Sequence, residues 1–564
     1  MVKFKIKNIS IILSILSLFC FLFSYYILLS STGTIKPEIN QSRRHKSIRA
    51  VQETHHPIDR HHIIASHQPY AILLPDWEVF ILLPPHAFSA YAHSKMMCQF
   101  QNNATSAAFF SGIIPSSGRT SFRCILPKSL HRIRPFLSPR LISADRSPDA
   151  SSNSLEESQF DSNSAPEMIR WTRLVYDAVT TPQDVIIFAK GLNKRSGTNL
   201  PVSDVDCVYL SVADGRAATY AAISSAQEVF RCPHPTSMDF NFSNNSSVVR
   251  ISLAVGTNKT PIPTLATYSP PHEPVQNTQM TNQSVICACT MVFNVAKFLR
   301  EWVIYHASIG VEKFFLYDNG SEDELGPTLS QLLGEGYDVS TYYWPWPKTQ
   351  EAGFSHCAAV NEQTCQWMAF IDVDEFVFSP AWATSHQTNP SMLASLVEPV
   401  EYKVGQIFID CNEFGPSGHR THPKNGVTQG YTCRRKSKER HKSIVRLGAV
   451  DRSLVNSVHH FKLKEGFETK RLPSVQINHY KYQAWEEFRM KFRRRVSTYV
   501  VDWKDKLNLS SKDRAPGLGF EPVEPDDWAY KFCEANDTLL RDVTRQWFGT
   551  EESDRRFKLK WERT

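Results

Sequence analysis

The segment Trp367-Met-Ala-Phe-Ile-Asp372-Val-Asp374-Glu375-Phe376 runs apolar and then presents three carboxylates spaced D-x-D-E. An apolar run bounded by polar residues reads as a buried strand. Asp372 and Asp374 would then lie at its carboxyl end, where open α/β sheets bind their ligands. Carboxylates in that place suit a hard divalent cation that also contacts substrate phosphates. The segment therefore reads as a metal–nucleotide-sugar site. A solvated acidic turn after a strand would be spelled the same way, so the surrounding elements decide.

From Ser284 onward, strands and helices alternate. Val285–Phe293 reads as a buried strand. Ala296–Ile309 follows as a helix, with Phe298, Leu299, Trp302, Val303, Tyr305 and His306 at helical spacing and Gly310 as its stop. Lys313–Tyr317 is the second strand and closes on Asp318-Asn319-Gly-Ser321. A helix near 325–333, a strand near 337–343 and a helix over 351–366 lead into the D-x-D strand. This alternation predicts a mostly parallel sheet flanked by helices, spanning residues 284–564.

The chain before it is organised differently. Residues 69–265 read as a β-rich, sandwich-like module of short strands and turns. It carries a weak internal repeat: Val79–Leu83, Cys98 and Phe122-Arg-Cys124 in one copy, Val185–Phe188, Cys207 and Phe230-Arg-Cys232 in the other. One bridge per copy, Cys98–Cys124 and Cys207–Cys232, is the simplest pairing. Residues 138–166 are Ser/Asp/Asn-rich and read as a disordered insertion. Residues 266–283 read as a linker.

The N-terminus bears on location. Residues 9–29 are apolar, uncharged and long enough to cross a bilayer. They follow Lys3, Lys5 and Lys7 and precede no small-residue cleavage site, so they read as an uncleaved signal anchor behind a cytosolic tail at 1–8, with a stem at 30–68. N-x-S/T sequons at Asn40, Asn103, Asn241, Asn244, Asn245, Asn258, Asn282, Asn319, Asn508 and Asn536 agree with a lumenal body. Eleven of the 12 cysteines follow the anchor, which predicts disulfides and at least one thiol outside an internal pair. The net charge of +7 is modest, and with a lumenal location it argues against a nucleic-acid partner. The basic run Arg434–Lys442 reads either as a solvated loop or as a cationic rim attracting phosphate or an acidic glycan.

Several stretches between about 285 and 495 occur in the order of a known family. They are Phe293-Asn294, Glu301-Trp302…Tyr305-His306, Tyr317-Asp318-Asn319-Gly-Ser321, the D-x-D segment, Phe414-Gly415…Gly418-His419, Lys442–Val445 with Val458-His459, and Asn478-His479-Tyr480. The chain resembles glycosyltransferase family 92, and its layout is similar to that of the plant members. The resemblance implies a GT-A fold, a UDP-sugar donor, a divalent metal (commonly Mn²⁺) and a Golgi type II membrane protein with a lumenal catalytic domain. It also implies a hexosyltransferase, galactose being the expected sugar, acting with inversion on a cell-wall or glycoprotein glycan.

Residue roles follow from that frame. Asp374 is the best direct metal ligand. Asp372 bonds ribose or reaches the metal through water, and the resemblance makes His479 a third ligand. Glu375 reads as a support. Asn294 and Asp318, at the ends of the first two strands, are candidates for base or ribose, or equally for Asx turns capping the next helix. Inverting transfer needs one base on the acceptor hydroxyl. Asp410 and Glu413 follow the strand Val404–Ile409, and Glu413, nearer the Gly-rich turn, is the preferred base. Trp344, Trp346 and Trp485 are candidate sugar-stacking surfaces, or core. Two other readings compete: a lumenal glycan-binding protein with a degenerate catalytic domain, and a two-metal phosphohydrolase. The Asp372/Asp374/His479 set speaks against the first. The lack of a second ligand cluster in the sequence speaks against the second.

Overall fold

The computed structural model describes residues 69–562 apart from 86–94, 144–164, 194–197, 237, 241–247, 272–282, 439, 492–523 and 552–556. The expected anchor, stem and cytosolic tail, and the sequons at Asn40, Asn241, Asn244, Asn245, Asn282 and Asn508, lie outside the described residues. No helix among the described residues is long and apolar enough to cross a membrane.

The second half forms one eight-stranded sheet. Its elements are β1 (Ser284–Val292), α1 (Ala296–Ser308), β2 (Lys313–Asp318), α2 (Leu325–Gly334), β3 (Val339–Tyr343), α3 (Gln350–Val360), β4 (Cys365–Phe370), β5 (Glu375–Phe378), β6 (Val404–Glu413), β7 (His441–Arg446) and β8 (Glu468–His479). The strand order is β3-β2-β1-β4-β7-β6-β8-β5. The first four strands are parallel. β7 then runs antiparallel to both neighbours, β6 and β8 are parallel, and β5 is antiparallel to β8. The sheet is thus parallel on the side built from β-α-β units and mixed on the other. Two disulfides pin its centre: Cys287 of β1 to Cys365 of β4, and Cys289 of β1 to Cys357 of α3. α3 is shorter than its apolar pattern predicts, because residues 361–364 turn the chain back into β4.

α1 explains why its aromatic residues recur. Trp302 Nε1 donates to the Glu375 carbonyl at 3.0 Å, and Tyr305 Oη donates to the Val377 carbonyl at 2.7 Å. Both rings are fully buried. The helix therefore holds the backbone that leaves the acidic turn and enters β5.

The first half contains two β-units. One is a seven-stranded sheet running from Tyr70 to Arg170, the other a pair of sheets of five and four strands. Each has the expected disulfide, Cys98–Cys124 and Cys207–Cys232, and in each the bridge is buried in that unit's own core. Two expected boundaries move. Residues 140–143 form a strand pairing with Met96–Gln99, and Ser138 N–H donates to the Pro166 carbonyl, so the ends of the expected insertion belong to the fold. Thr267–Tyr268 pairs with Val249–Arg250, so the expected linker begins inside the sheet.

The module shares a hydrophobic cluster with the α/β half rather than hanging from it. Tyr70, Phe80, Trp171, Tyr176 and Phe188 pack with Trp344, Trp346 and Phe354. Trp171 stacks on Trp346 with ring centroids 5.7 Å apart. Gly112 is required for this approach: at φ +147° it lies so close to Tyr343 that a Cβ would sit 2.8 Å from the ring. Trp344 and Trp346 are therefore core at this junction rather than open stacking platforms. Trp485 is likewise buried, against Trp528.

Candidate active site

β4 ends at Phe370, and Asp372-Val-Asp374 forms the turn into β5, closed by Glu375 N–H donating to the Asp372 carbonyl at 3.0 Å. This turn opens into a cavity of about 670 Å³, whose wall includes Asp372, Asp374, Asn294, Asn319, Lys442 and His479. The site thus sits at the carboxyl ends of the parallel strands, as such sheets require.

Asp374 and His479 face one another. His479 ends β8, pairs in register with Glu375 and places its Nε2 3.7 Å from Asp374 Oδ2. Glu375 is fully buried behind the ring, with Oε1 3.5 Å from His479 Nδ1. A carboxylate behind one ring nitrogen leaves the other pointing at the cavity, the arrangement that orients a metal-binding histidine. Asp374, Glu375 and His479 can bring one donor atom each within 4.8 Å of the others. This oxygen and nitrogen set fits a divalent cation. Asp374 and His479 would hold it from the cavity wall, with Glu375 steering the ring.

Asp372 lies outside that group. Its carboxylate accepts from Lys442 Nζ at 3.0 Å and lies 3.5 Å from His459 Nε2. Burial would raise its pKa, but Lys442 overcomes this and holds it well below the usual carboxylate range. Lys442 also pairs with Glu375 at 2.5 Å. Burial pushes Glu375 up to about 8, against the pull of Lys442. Lys491 donates to Asp374 Oδ2 at 2.9 Å. Lys442, Lys481 and Lys491 all line the cavity next to the acidic turn, each paired with a carboxylate: Lys442 with Asp372 and Glu375, Lys481 with Glu413, and Lys491 with Asp374. Ammonium groups of this kind are also donors a phosphate can engage.

The remaining expected residues divide. Asn294 lines the cavity in a left-handed conformation (φ 51°), and its side-chain oxygen accepts from Glu322 N–H at 2.7 Å. Asp318 does not line it; its carboxylate accepts from Ser321 N–H at 2.9 Å, an Asx turn. The Asn319 amide nitrogen donates to the Trp344 and Trp346 carbonyls, which ties up the atom that a glycan would need.

Neither expected base opens into the cavity. Glu413 is 1 % exposed and is held by Lys481 Nζ at 2.5 Å, Arg435 at 3.4 Å and Tyr482 Oη at 3.3 Å. Asp410 pairs with Arg471 at 2.8 Å. The preference for Glu413 took a short distance from the Gly-rich turn as a sign of access, whereas β6 turns that side chain into an ion-pair network. Besides Asp372 and Asp374, the carboxylates that line the cavity are Glu351, at the start of α3, and Glu487, which pairs with Lys297. Sequence reasoning missed Lys481 and Lys491 and had Lys442 only as the end of a basic run read either as a solvated loop or as a cationic rim. The basic run ending at Lys442 was the one available signal: Arg440, His441 and Lys442 reach the cavity, while Arg434 and Arg435 pair with Asp537 and Glu413.

An α/β sheet that presents an acidic turn, a steered histidine and three lysines to one cavity has the polar groups of an enzyme site. The comparison with known proteins narrows that class. The profile of Glycosyltransferase family 92 matches residues 282–510. A glycosyltransferase family 92 protein of Oryza sativa subsp. japonica is 42 % identical over 403 residues, covering 67 % of each chain. One from Arabidopsis thaliana is 42 % identical over 399 residues, covering 70 % of this chain and 69 % of that one. One from Ricinus communis is 41 % identical over 413 residues, covering 70 % of each. The chain belongs to glycosyltransferase family 92 and is a glycosyltransferase. Solved structures overlap it in part: the mannosyltransferase PcManGT from Pyrobaculum calidifontis covers 40 % of this chain and 64 % of its own, at 9 % identity and a TM-score of 0.24.

Proposed function

We propose that this protein is a GT-A-type, metal-dependent hexosyltransferase that moves galactose from a UDP-sugar to a cell-wall or glycoprotein glycan with inversion. We place it in the Golgi membrane as a single-pass type II protein. The observation that carries this reading is the facing pair Asp374 and His479, steered by Glu375, beside a lysine wall in the same cavity. A bound cation, Mn²⁺ in this reading, would neutralise charge building on the leaving UDP. The residues of the chain do the rest. Lys442 keeps Asp372 ionised, and Lys481 and Lys491, which line the cavity in ion pairs with Glu413 and Asp374, would meet the phosphates of a bound donor. The base must reach the acceptor hydroxyl from the cavity, which leaves Glu351 and Glu487 as the candidates on its wall outside the acidic turn. A glycan-binding protein without catalysis would not need the Asp374–His479 pair.

The test is calorimetry of UDP with and without Mn²⁺, together with turnover on a panel of UDP-sugars. Asp374→Asn should abolish Mn²⁺-dependent UDP binding and transfer in a folded protein, and His479→Ala should sharply raise the Mn²⁺ requirement. Equal UDP affinity in Mn²⁺ and in EDTA would overturn the metal role. Turnover with another sugar nucleotide would move the donor.

A further inference from the structure

One wall residue of the cavity belongs to the module rather than to the catalytic domain. Strands Ser224–Ala226 and Val229–Cys232 form a hairpin whose turn is Gln227-Glu228, with Gln227 in a left-handed conformation at φ 52°. Gln227 lines the cavity. Its amide pairs with the backbone of a single residue: Nε2 donates to the Asn456 carbonyl at 2.7 Å and Oε1 accepts from Asn456 N–H at 3.1 Å. The same hairpin is anchored on both flanks. Glu228 binds Lys190, which also donates to the carbonyl of Lys348, another wall residue, at 2.9 Å. Arg231 joins Asp184, at 2.6 and 2.8 Å, to the Arg452 carbonyl, and the Arg452 guanidinium returns to Asp184 at 2.9 Å.

Asn456 opens the turn that carries His459. On its other side its amide donates to the Glu351 carbonyl at 3.0 Å and to Ser355 Oγ at 2.9 Å. Ser457 N–H donates to the His460 carbonyl, and Val458 is held at φ 65°. A β-branched residue in the left-handed region is strained and persists only where its surroundings over-determine it. His459 Nδ1 bonds the Phe370 carbonyl at 2.8 Å, at the end of β4. Burial and Lys442 keep its pKa well below the ordinary histidine range, so Nδ1 carries the proton and Nε2 accepts from Lys442. That lysine is the one that holds Asp372 and Glu375.

We propose that the Gln227 turn is a positioning element of the active site, by which the module fixes the Asn456–His460 turn and, through His459 and Lys442, the acidic turn at Asp372. This rests on the cavity being the donor site. It makes the module a structural part of that site in addition to any glycan contact it makes elsewhere.

The experiment compares the full chain with Gln227→Ala and Gln227→Glu. Gln227→Glu keeps the size and the bond from Asn456 N–H but sets a carboxylate against the Asn456 carbonyl. Hydrogen–deuterium exchange of peptides spanning 452–462 should rise at least tenfold in both variants. The KM for the UDP-sugar should rise about tenfold, the scale of one buried hydrogen-bonding group left without its partner, with kcat and acceptor KM within about twofold of wild type. If Gln227→Ala does not fold, Gln227→Glu gives the same readouts. Unchanged exchange with unchanged donor KM overturns the proposal. Raised exchange with unchanged donor KM overturns the positioning role and leaves only a clamp. A wild-type chain that binds no UDP and turns over no UDP-sugar refutes the donor-site reading instead, a result distinct from a wild type that works and a variant that matches it.

Discussion

Glu413 shows what a single side chain's surroundings decide. Burial would raise its pKa, but Lys481, His479 and Arg435 hold it below the usual glutamate value, so it is an anion among cations. Removing one partner of a buried ion pair leaves the others uncompensated. Glu413→Gln should therefore cost about 3 kcal/mol of stability, read as a lower denaturation midpoint. Turnover of the folded fraction should fall far less than the ~10²-fold or more expected for loss of a base. The opposite pattern, a stable and inactive variant, would restore Glu413 as the base. At this scale the sequence was legible where chemistry and position coincide. Asp374 could be singled out from its type and its place after a strand, and His479 only through the family resemblance; the structure sets the two side chains face to face. Glu413 could not be placed, because whether a strand-end carboxylate faces the cavity or its neighbours depends on β6 pairing with β8, a contact across 66 residues from Glu413 to its register partner His479. Lys481 and Lys491 gave no local signal either, since isolated lysines look alike whether solvated or in a cavity.

At the level of elements, α1 and the turn after Gly426 depend on one buried carboxylate. Glu301 of α1 accepts from Val427 N–H at 2.7 Å and Thr428 N–H at 2.9 Å, capping a short helical turn. Gly426 is needed there: it sits at φ +100°, and a Cβ would lie 2.3 Å from Glu301 Oε2. Burial pushes the Glu301 carboxyl up to about 7 from 4.5, although Thr428 and the two amides pull it back. Between those values the folded chain keeps a proton that the unfolded chain has released. The stability contributed by this group is full below pH 4.5 and falls as pH rises to 7, by about 3 kcal/mol. Glu301→Gln should be less stable throughout but should lose this slope. Urea unfolding of both proteins at pH 4.5, 6 and 7.5 measures the difference, and parallel curves would refute it. The helical spacing of α1 was readable in advance, including its stop at Gly310. The reason for its aromatic residues was not, because Trp302 and Tyr305 serve the backbone of β5 more than 70 residues away.

For the molecule as a whole, cross-links and a shared core set the limits. Cys433–Cys533 closes a loop of 100 residues and ties the segment after the Gly-rich turn to the C-terminal region. A loop of that length should contribute about 4 kcal/mol, so replacing both cysteines by serine should lower the melting temperature by several degrees, and an unchanged melting curve would show that the bridge does not form. Cys411 is the one cysteine among the described residues without a disulfide partner, in keeping with the odd count. The division into a β-rich half and an α/β half was legible from periodicity, as were both module disulfides from their matched spacings. The junction was not legible, because tryptophans that stack across two regions carry the same local pattern as tryptophans in either core.

That junction has a consequence for how the chain is made. The module is synthesised first, and domains generally begin to fold in that order. Until the residues around Trp344 and Trp346 have been added, Trp171, Tyr176 and Phe188 have their neighbours in the module but lack the tryptophans that pack against them from the second half. A half-made chain therefore displays an aromatic face of the kind that folding helpers bind and that promotes clumping. The module expressed alone should sediment or co-purify with chaperones, and should become soluble when Trp171 and Phe188 are changed to polar residues. A newborn molecule would be released from such helpers only when its catalytic half arrives, so the same surface that joins the two regions would act as a checkpoint on completion.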